Sequence, residues 1–166
     1  MQIPTRRAEK NHQKAKLDPY LTEDKFRELK AKLEKMLSAR PELAREVKRL
    51  AEMGDFSENA GYQLAKGRLR GLNQKILDLE YRLKNAEIIR PEKNTETIRL
   101  GSRVTLRQSG QEKNYQILGA TESDPAAGII SHNSPLGAAL LNRRLGEKIK
   151  LRINNQDREY EIIKIG

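Results

Sequence analysis

From Thr22 onward, apolar residues recur at alternating spacings of three and four: Phe26, Leu29, Leu33, Met36, then Leu43, Val47 and Leu50. That is the signature of a helix with one apolar stripe. The slot between Met36 and Leu43 holds Arg40, and Pro41 follows it. Proline removes a backbone donor, so a kink or short break is expected there. Thr22, with Asp24 and Lys25 behind it, supplies a helix start. A second stripe runs through Tyr62, Ala65, Leu69, Leu72, Ile76, Leu79, Leu83 and Ala86 without a miss. This is the 3.5-residue period of a coiled-coil seam, with charge at most other positions. Two such helices joined by a few residues near Gly54–Phe56 must run antiparallel and bury their stripes on each other. At about 30 residues per helix the hairpin should project roughly 45 Å, with a single tip.

Pro91 is expected to close the second helix, and "RPEKNTET" reads as a linker. The texture then changes. "SRVTLRQ", "NYQILGA", "GIISHN", "KIKLRI" and "REYEIIKI" are short segments rich in β-branched residues, with turns at Ser109-Gly110 and Asn154-Asn155. Between the third and fourth, Pro135, Leu136, Ala139, Leu140 and a stop at Gly146 describe one short helix. The expected fold class is α+β. A basic flexible tail (1–18) precedes an antiparallel coiled-coil hairpin (19–90). A linker (91–97) then leads to a small, mostly antiparallel sheet with one helix (98–166).

Composition narrows the function. The chain has 166 residues, 33 Lys plus Arg against 23 Asp plus Glu, and a net charge of +10. A chain this basic is drawn to nucleic acid or to an acidic protein surface. The excess is spread along the sequence, which suggests long-range attraction more than one dedicated groove. Aromatic content is 4%, with no Trp. That argues against a base-stacking surface, which needs several exposed rings. No Cys and two His leave neither disulfides nor a Cys- or His-based metal site. No apolar run approaches a membrane span, and the N-terminus lacks a secretory core, so the expected location is the cytoplasm. The hairpin buries its own seam, so a monomer is expected.

One stretch carries candidate chemistry: "MGDFSENAGYQLAK", Met53–Lys66, at the hairpin tip. Asp55 and Glu58, three residues apart, fit a capping box at the positive end of the second helix, with Ser57 as a rival cap. The alternative starts from location. A tip far from any core needs one cap, yet this one gathers Asp55, Ser57, Glu58 and Asn59. Two carboxylates are too few for a stable Mg²⁺ site, which needs further oxygen ligands. They could complete a site that another macromolecule half provides. Arg45, Lys48, Arg49, Lys66, Arg68 and Arg70 surround the tip and could contact RNA phosphates or an acidic wall. Singly, each reads better as a solvated helix face.

"GDFSENAGYQLAK" resembles the acidic tip of the bacterial GreA/GreB transcript-cleavage factors. "RPE" at Arg40–Glu42, "ISHNSPLGAALLNRRLGEKI" and "REYEI" extend the resemblance over most of the chain. The resemblance implies a C-terminal domain of FKBP-like fold, here without an aromatic-lined isomerase pocket. It implies a mechanism as well. The hairpin enters the secondary channel of a backtracked RNA polymerase, and the tip acids help hold a catalytic Mg²⁺ shared with the polymerase. The polymerase then cuts the extruded 3′ end of the nascent RNA. Carried over by position, Asp55 and Glu58 are the acids and Ser57 supports them. No cofactor is implied for the protein alone, and no nuclease activity of its own. "IISHNSPLG", with Asn133, Ser134 and Pro135, is the expected contact with the channel rim. Phe56 and Gly61 depart from the usual tip motif, and Gly61 removes an acid beside it. Relatives that bind the channel without promoting cleavage alter the tip acids; both acids are present here, which favours cleavage, and a channel-binding inhibitor is the alternative.

Overall fold

The computed structural model describes residues 17–53, 60–90, 96–153 and 155–166. Most of the expected tail and linker, and the tip residues 54–59, lie outside these. The chain opens with a two-residue strand β1 (Tyr20–Leu21), followed by helix α1 (Glu23–Glu52) and helix α2 (Ala60–Lys84). Thr22 caps α1, its hydroxyl accepting from the Lys25 amide at 3.2 Å. The two helices pack along each other. Every expected stripe residue from Phe26 to Leu50 and from Tyr62 to Ala86 is buried or half-buried.

In the hairpin, two features differ from the sequence expectation. No break occurs at Pro41; α1 is continuous through it. Arg40 and Pro41 are both exposed, while Met36 before them and Leu43 after them are half-buried against α2. The proline forfeits one backbone bond, and the seam on either side holds the two halves of α1 in one helix. α2 ends at Lys84, not near Pro91. The Asn85 amide and side chain both donate to the Tyr81 carbonyl, at 3.2 and 2.7 Å. The chain then extends as β2 (Glu87–Ile88), parallel to β1. Glu87 donates to the Pro19 carbonyl and Ile89 to that of Leu21, each at 2.8 Å. The end of the seam pattern therefore serves as a strand that ties down the chain ahead of α1.

The C-terminal part is a five-stranded sheet built from β3 (Arg103–Gln108), β4 (Gln111–Leu118), β5 (Ile129–Ser131), β6 (Lys148–Ile153) and β7 (Gln156–Ile165). Its order is β5-β4-β3-β7-β6. The pairs are antiparallel except β4–β5, whose crossover runs through two short 3-10 turns at Ala120–Glu122 and Pro125–Ala127. Ser109 and Gly110, both at positive φ, close the β3–β4 hairpin, as two-residue turns of this kind require. Helix α3 (Pro135–Leu140) lies against the sheet. It stops earlier than the expected Gly146. Asn142 turns left-handed at φ 64°, donates to the Ile98 carbonyl at 2.8 Å, and the Ile98 amide returns a bond to Arg143. The core gathers Ile98, Val104, Leu106, Ile117, Leu140 and Ile162, with Tyr160 buried beside them.

Candidate functional site

Asp55, Ser57 and Glu58 lie outside the described residues. What positions them is described. α1 delivers the chain to Met53, still in helical conformation, and α2 resumes at Ala60. The six cations stand on the turns beside this end: Arg45, Lys48 and Arg49 on α1, Lys66, Arg68 and Arg70 on α2. All six are exposed. Their interactions are weak and local. Lys48 lies 3.9 Å from Glu52 one turn on. Arg45 reaches the Pro41 carbonyl at 3.4 Å, and the Lys66 ammonium stands 5.5 Å from the Tyr62 ring centre. Arg68 and Arg70 have no ion-pair partner among the described residues. Exposed pairs of this kind contribute little to stability, so the collar is free to meet an anionic surface. Gly61 sits exposed at the second residue of α2.

The expected docking residues form a braced loop. Ser134 caps α3, its hydroxyl accepting from Gly137 at 3.1 Å and donating to the Ser131 carbonyl at 2.7 Å. The Ser134 amide bonds the same carbonyl, and the Asn133 amide donates to the Ser131 hydroxyl at 3.1 Å. Gly137 is required by close approach: a Cβ there would lie 2.1 Å from the Ser131 oxygen. Asn133 and Pro135 are left exposed on a rigid turn. The structure brings these three residues together. They stand at the opposite end of the hairpin from the tip, beside its base.

Sequence reasoning missed what anchors this loop. Asp18, read as the end of a flexible tail, has a side chain only 7% exposed. One of its oxygens accepts from the Tyr20 amide at 3.1 Å. The other accepts from the Ala120 amide at 2.6 Å and meets His132 Nε2 at 2.9 Å. The Tyr20 and His132 rings meet edge-on, with centres 5.3 Å apart. Glu122 accepts from both the amide and the hydroxyl of Thr22, the amide at 2.7 Å. Burial pushes the Asp18 carboxyl up, but the Ala120 and Tyr20 amides and the hydrogen bond and charge of His132 outweigh it and leave it below the usual range. Asp18-Pro19 did carry a signal, since Asp before Pro marks a turn in which the carboxylate bonds the amide two residues on. Its partners a hundred residues away did not show in the sequence.

Among the described residues no group of three or more His, Cys, Asp or Glu is placed to hold a metal, and no helix is long and apolar enough to cross a membrane.

Sequence models of a known family match both parts of the chain. Residues 19–88 match "Transcription elongation factor, N-terminal", and residues 92–166 match "Transcription elongation factor, GreA/GreB, C-term". Transcription elongation factor GreA of Treponema pallidum is 36% identical over 140 residues, covering 82% of this chain and 86% of its own. The chain belongs to the GreA/GreB family of transcription elongation factors. GreA of Roseiflexus castenholzii is 35% identical, over 88% of this chain and 96% of its own. GreA of Novosphingobium aromaticivorans is 37% identical, over 89% and 94%. Among solved structures, GreA factor homolog 1 of Thermus thermophilus is 29% identical over 88% of this chain and 97% of its own, with a TM-score of 0.40.

Proposed function

We propose that this GreA/GreB family member is a cleavage-stimulating elongation factor. It inserts its hairpin into the secondary channel of RNA polymerase and promotes the polymerase's own cleavage of backtracked 3′ RNA. One observation carries this reading. An Asp and a Glu, with a Ser between them, fall among the seven residues, 53–59, between α1 and α2. Asp55 and Glu58 supply two hard oxygen donors, too few for a free-standing Mg²⁺ site and suited to a shared one. They would hold a divalent cation together with the polymerase, and Ser57 would orient them. Such a cation, when bound, activates water and neutralises charge in phosphodiester hydrolysis.

The remaining roles belong to side chains alone. The exposed collar of Arg45, Lys48, Arg49, Lys66, Arg68 and Arg70 would steer the tip towards RNA phosphates and acidic channel walls. The braced loop at Asn133, Ser134 and Pro135 would dock on the channel rim. The protein would not be a nuclease alone.

The test uses stalled, backtracked bacterial polymerase with end-labelled RNA and Mg²⁺. Wild-type protein should accelerate cleavage, and Asp55→Ala and Glu58→Ala should each lose about 100-fold or more while still binding polymerase. Binding without stimulation by the wild type would leave a channel-occupying inhibitor. Equal stimulation by the mutants would return both acids to helix capping.

A further inference from the structure

The contacts of the segment Asp18–Thr22 lie outside the machinery proposed above, yet they form a dense polar cluster. The segment precedes α1 and pairs with β2 at the foot of α2, so it belongs to the base of the hairpin. Its side chains reach the other way, into the C-terminal part. Asp18 takes the Ala120 amide and His132, and Thr22 gives both its donors to Glu122. Thr22 uses the same hydroxyl to cap α1. The backbones touch as well: a Cβ on Gly119 would fall 2.1 Å from the Tyr20 carbonyl oxygen. His132 is the residue immediately before Asn133, and the two side chains lie 3.2 Å apart. Tyr81 of α2 and Asn85 just beyond its end border the same cleft as His132 and Asn133.

We propose that Asp18 is a positioning residue. By gripping His132 and the Ala120 amide, it fixes the direction in which the hairpin leaves the docking loop at Asn133–Pro135. The argument for stiffness is one of leverage. The hairpin is a lever of about 45 Å, so a swing of only about 10° at its base moves the tip by roughly 8 Å. Reacting groups, by contrast, tolerate misplacement of about 1 Å before rate falls steeply. A rod that delivers two carboxylates at its far end therefore needs a stiff root. A buried carboxylate with three donors, seconded by Glu122, provides one. That consequence for delivery rests on the function proposed above; the fixed direction itself does not.

The clasp is separable from the fold. None of Asp18, Tyr20, Thr22, Gly119, Glu122 or His132 belongs to the apolar core of the sheet. Replacing Asp18 by Asn keeps the shape, removes the charge, and sets an amide donor against donors. The chain has no native Cys, so spin labels can be placed at Lys32→Cys on α1 and Arg152→Cys on β6, both exposed. The wild type should give one narrow distance distribution. Asp18→Asn should at least double its width, with the sheet still folded and its melting lowered only slightly. Gly119→Ala, which drives the two backbones apart, should do the same by a separate route. In the cleavage assay, Asp18→Asn should lower the rate at saturating factor by about tenfold or more, with the half-saturating concentration changed less than about twofold.

An unaltered distance distribution in both variants overturns the proposal. So does a broadened distribution with an undiminished saturating rate. If the wild type stimulates no cleavage, the proposed function fails instead, and the distance measurement alone decides whether Asp18 sets the hairpin's direction.

Discussion

Along the two long helices only Leu29, Ala65 and Ile76 are buried, and the rest of the stripe is half-exposed. In the sheet, Leu106, Ile117 and Ile162 are at most 1% exposed. The difference follows from architecture. A stripe residue in a two-helix hairpin meets one partner helix and leaves its flanks to solvent. A residue such as Leu106 lies in the apolar core with paired strands on both sides. Burial sets how much each apolar side chain stabilises, so the hairpin is built for reach and the sheet for rigidity. The first test of that contrast is a pair of truncations. Leu106→Ala should cost about 3–4 kcal/mol, as fully buried leucines do. Leu72→Ala, half-buried in the seam, should cost about 1–2 kcal/mol, in proportion to the smaller area it removes from water. Denaturant unfolding checks both, and equal losses would erase the distinction.

The same contrast governs what the sequence made legible. Long periodic stripes identify a hairpin because each seam residue depends only on neighbours three and four positions away. The strands were legible from β-branched runs and from Ser109-Gly110 at a turn. The ends were not. α2 stops at Asn85, although Ala86 continues the apolar period, because the chain is needed beside Tyr20 and Leu21. α3 stops before Asn142 because Ile98, more than forty residues earlier, takes up the freed backbone groups. Both are tertiary overrides of local pattern. Of the site, the start of α3 at Pro135 was legible, and the cap by Ser134 emerged with the structure. Asp18 was not, since a carboxylate in a polar, basic, aperiodic run looks like a solvated one until its partners at Ala120 and His132 are seen.

Pro41 sharpens the comparison from the hairpin side. A proline in a helix interior costs about 3 kcal/mol in isolated hosts, and α1 nevertheless runs through it. The half-buried seam on either side must therefore bear that cost. Pro41→Ala restores the donor to the Leu37 carbonyl and should stabilise the hairpin by about 1–3 kcal/mol. Hydrogen exchange of the α1 amides should slow, while that of β3 and β7 stays as it was. Slowed exchange in both parts would mean that they unfold as one unit, and the division drawn above would be lost.

The smallest expected effect probes the joint where rod and sheet meet. Asp18 is held below the usual carboxylate range: burial raises it, and the Ala120 and Tyr20 amides with His132 more than offset that. A carboxyl depressed in the folded state contributes stability that is fully present above its unfolded value, about 3.9. That contribution fades as pH falls through the lower folded value. Asp18→Asn has nothing to titrate there. Its melting temperature should therefore lie below that of the wild type near neutrality, and the gap should narrow as pH drops below about 4. A gap of constant size would mean that the asparagine harms the joint through shape or lost acceptors alone. The ionised carboxylate would then not be what binds the hairpin to the sheet.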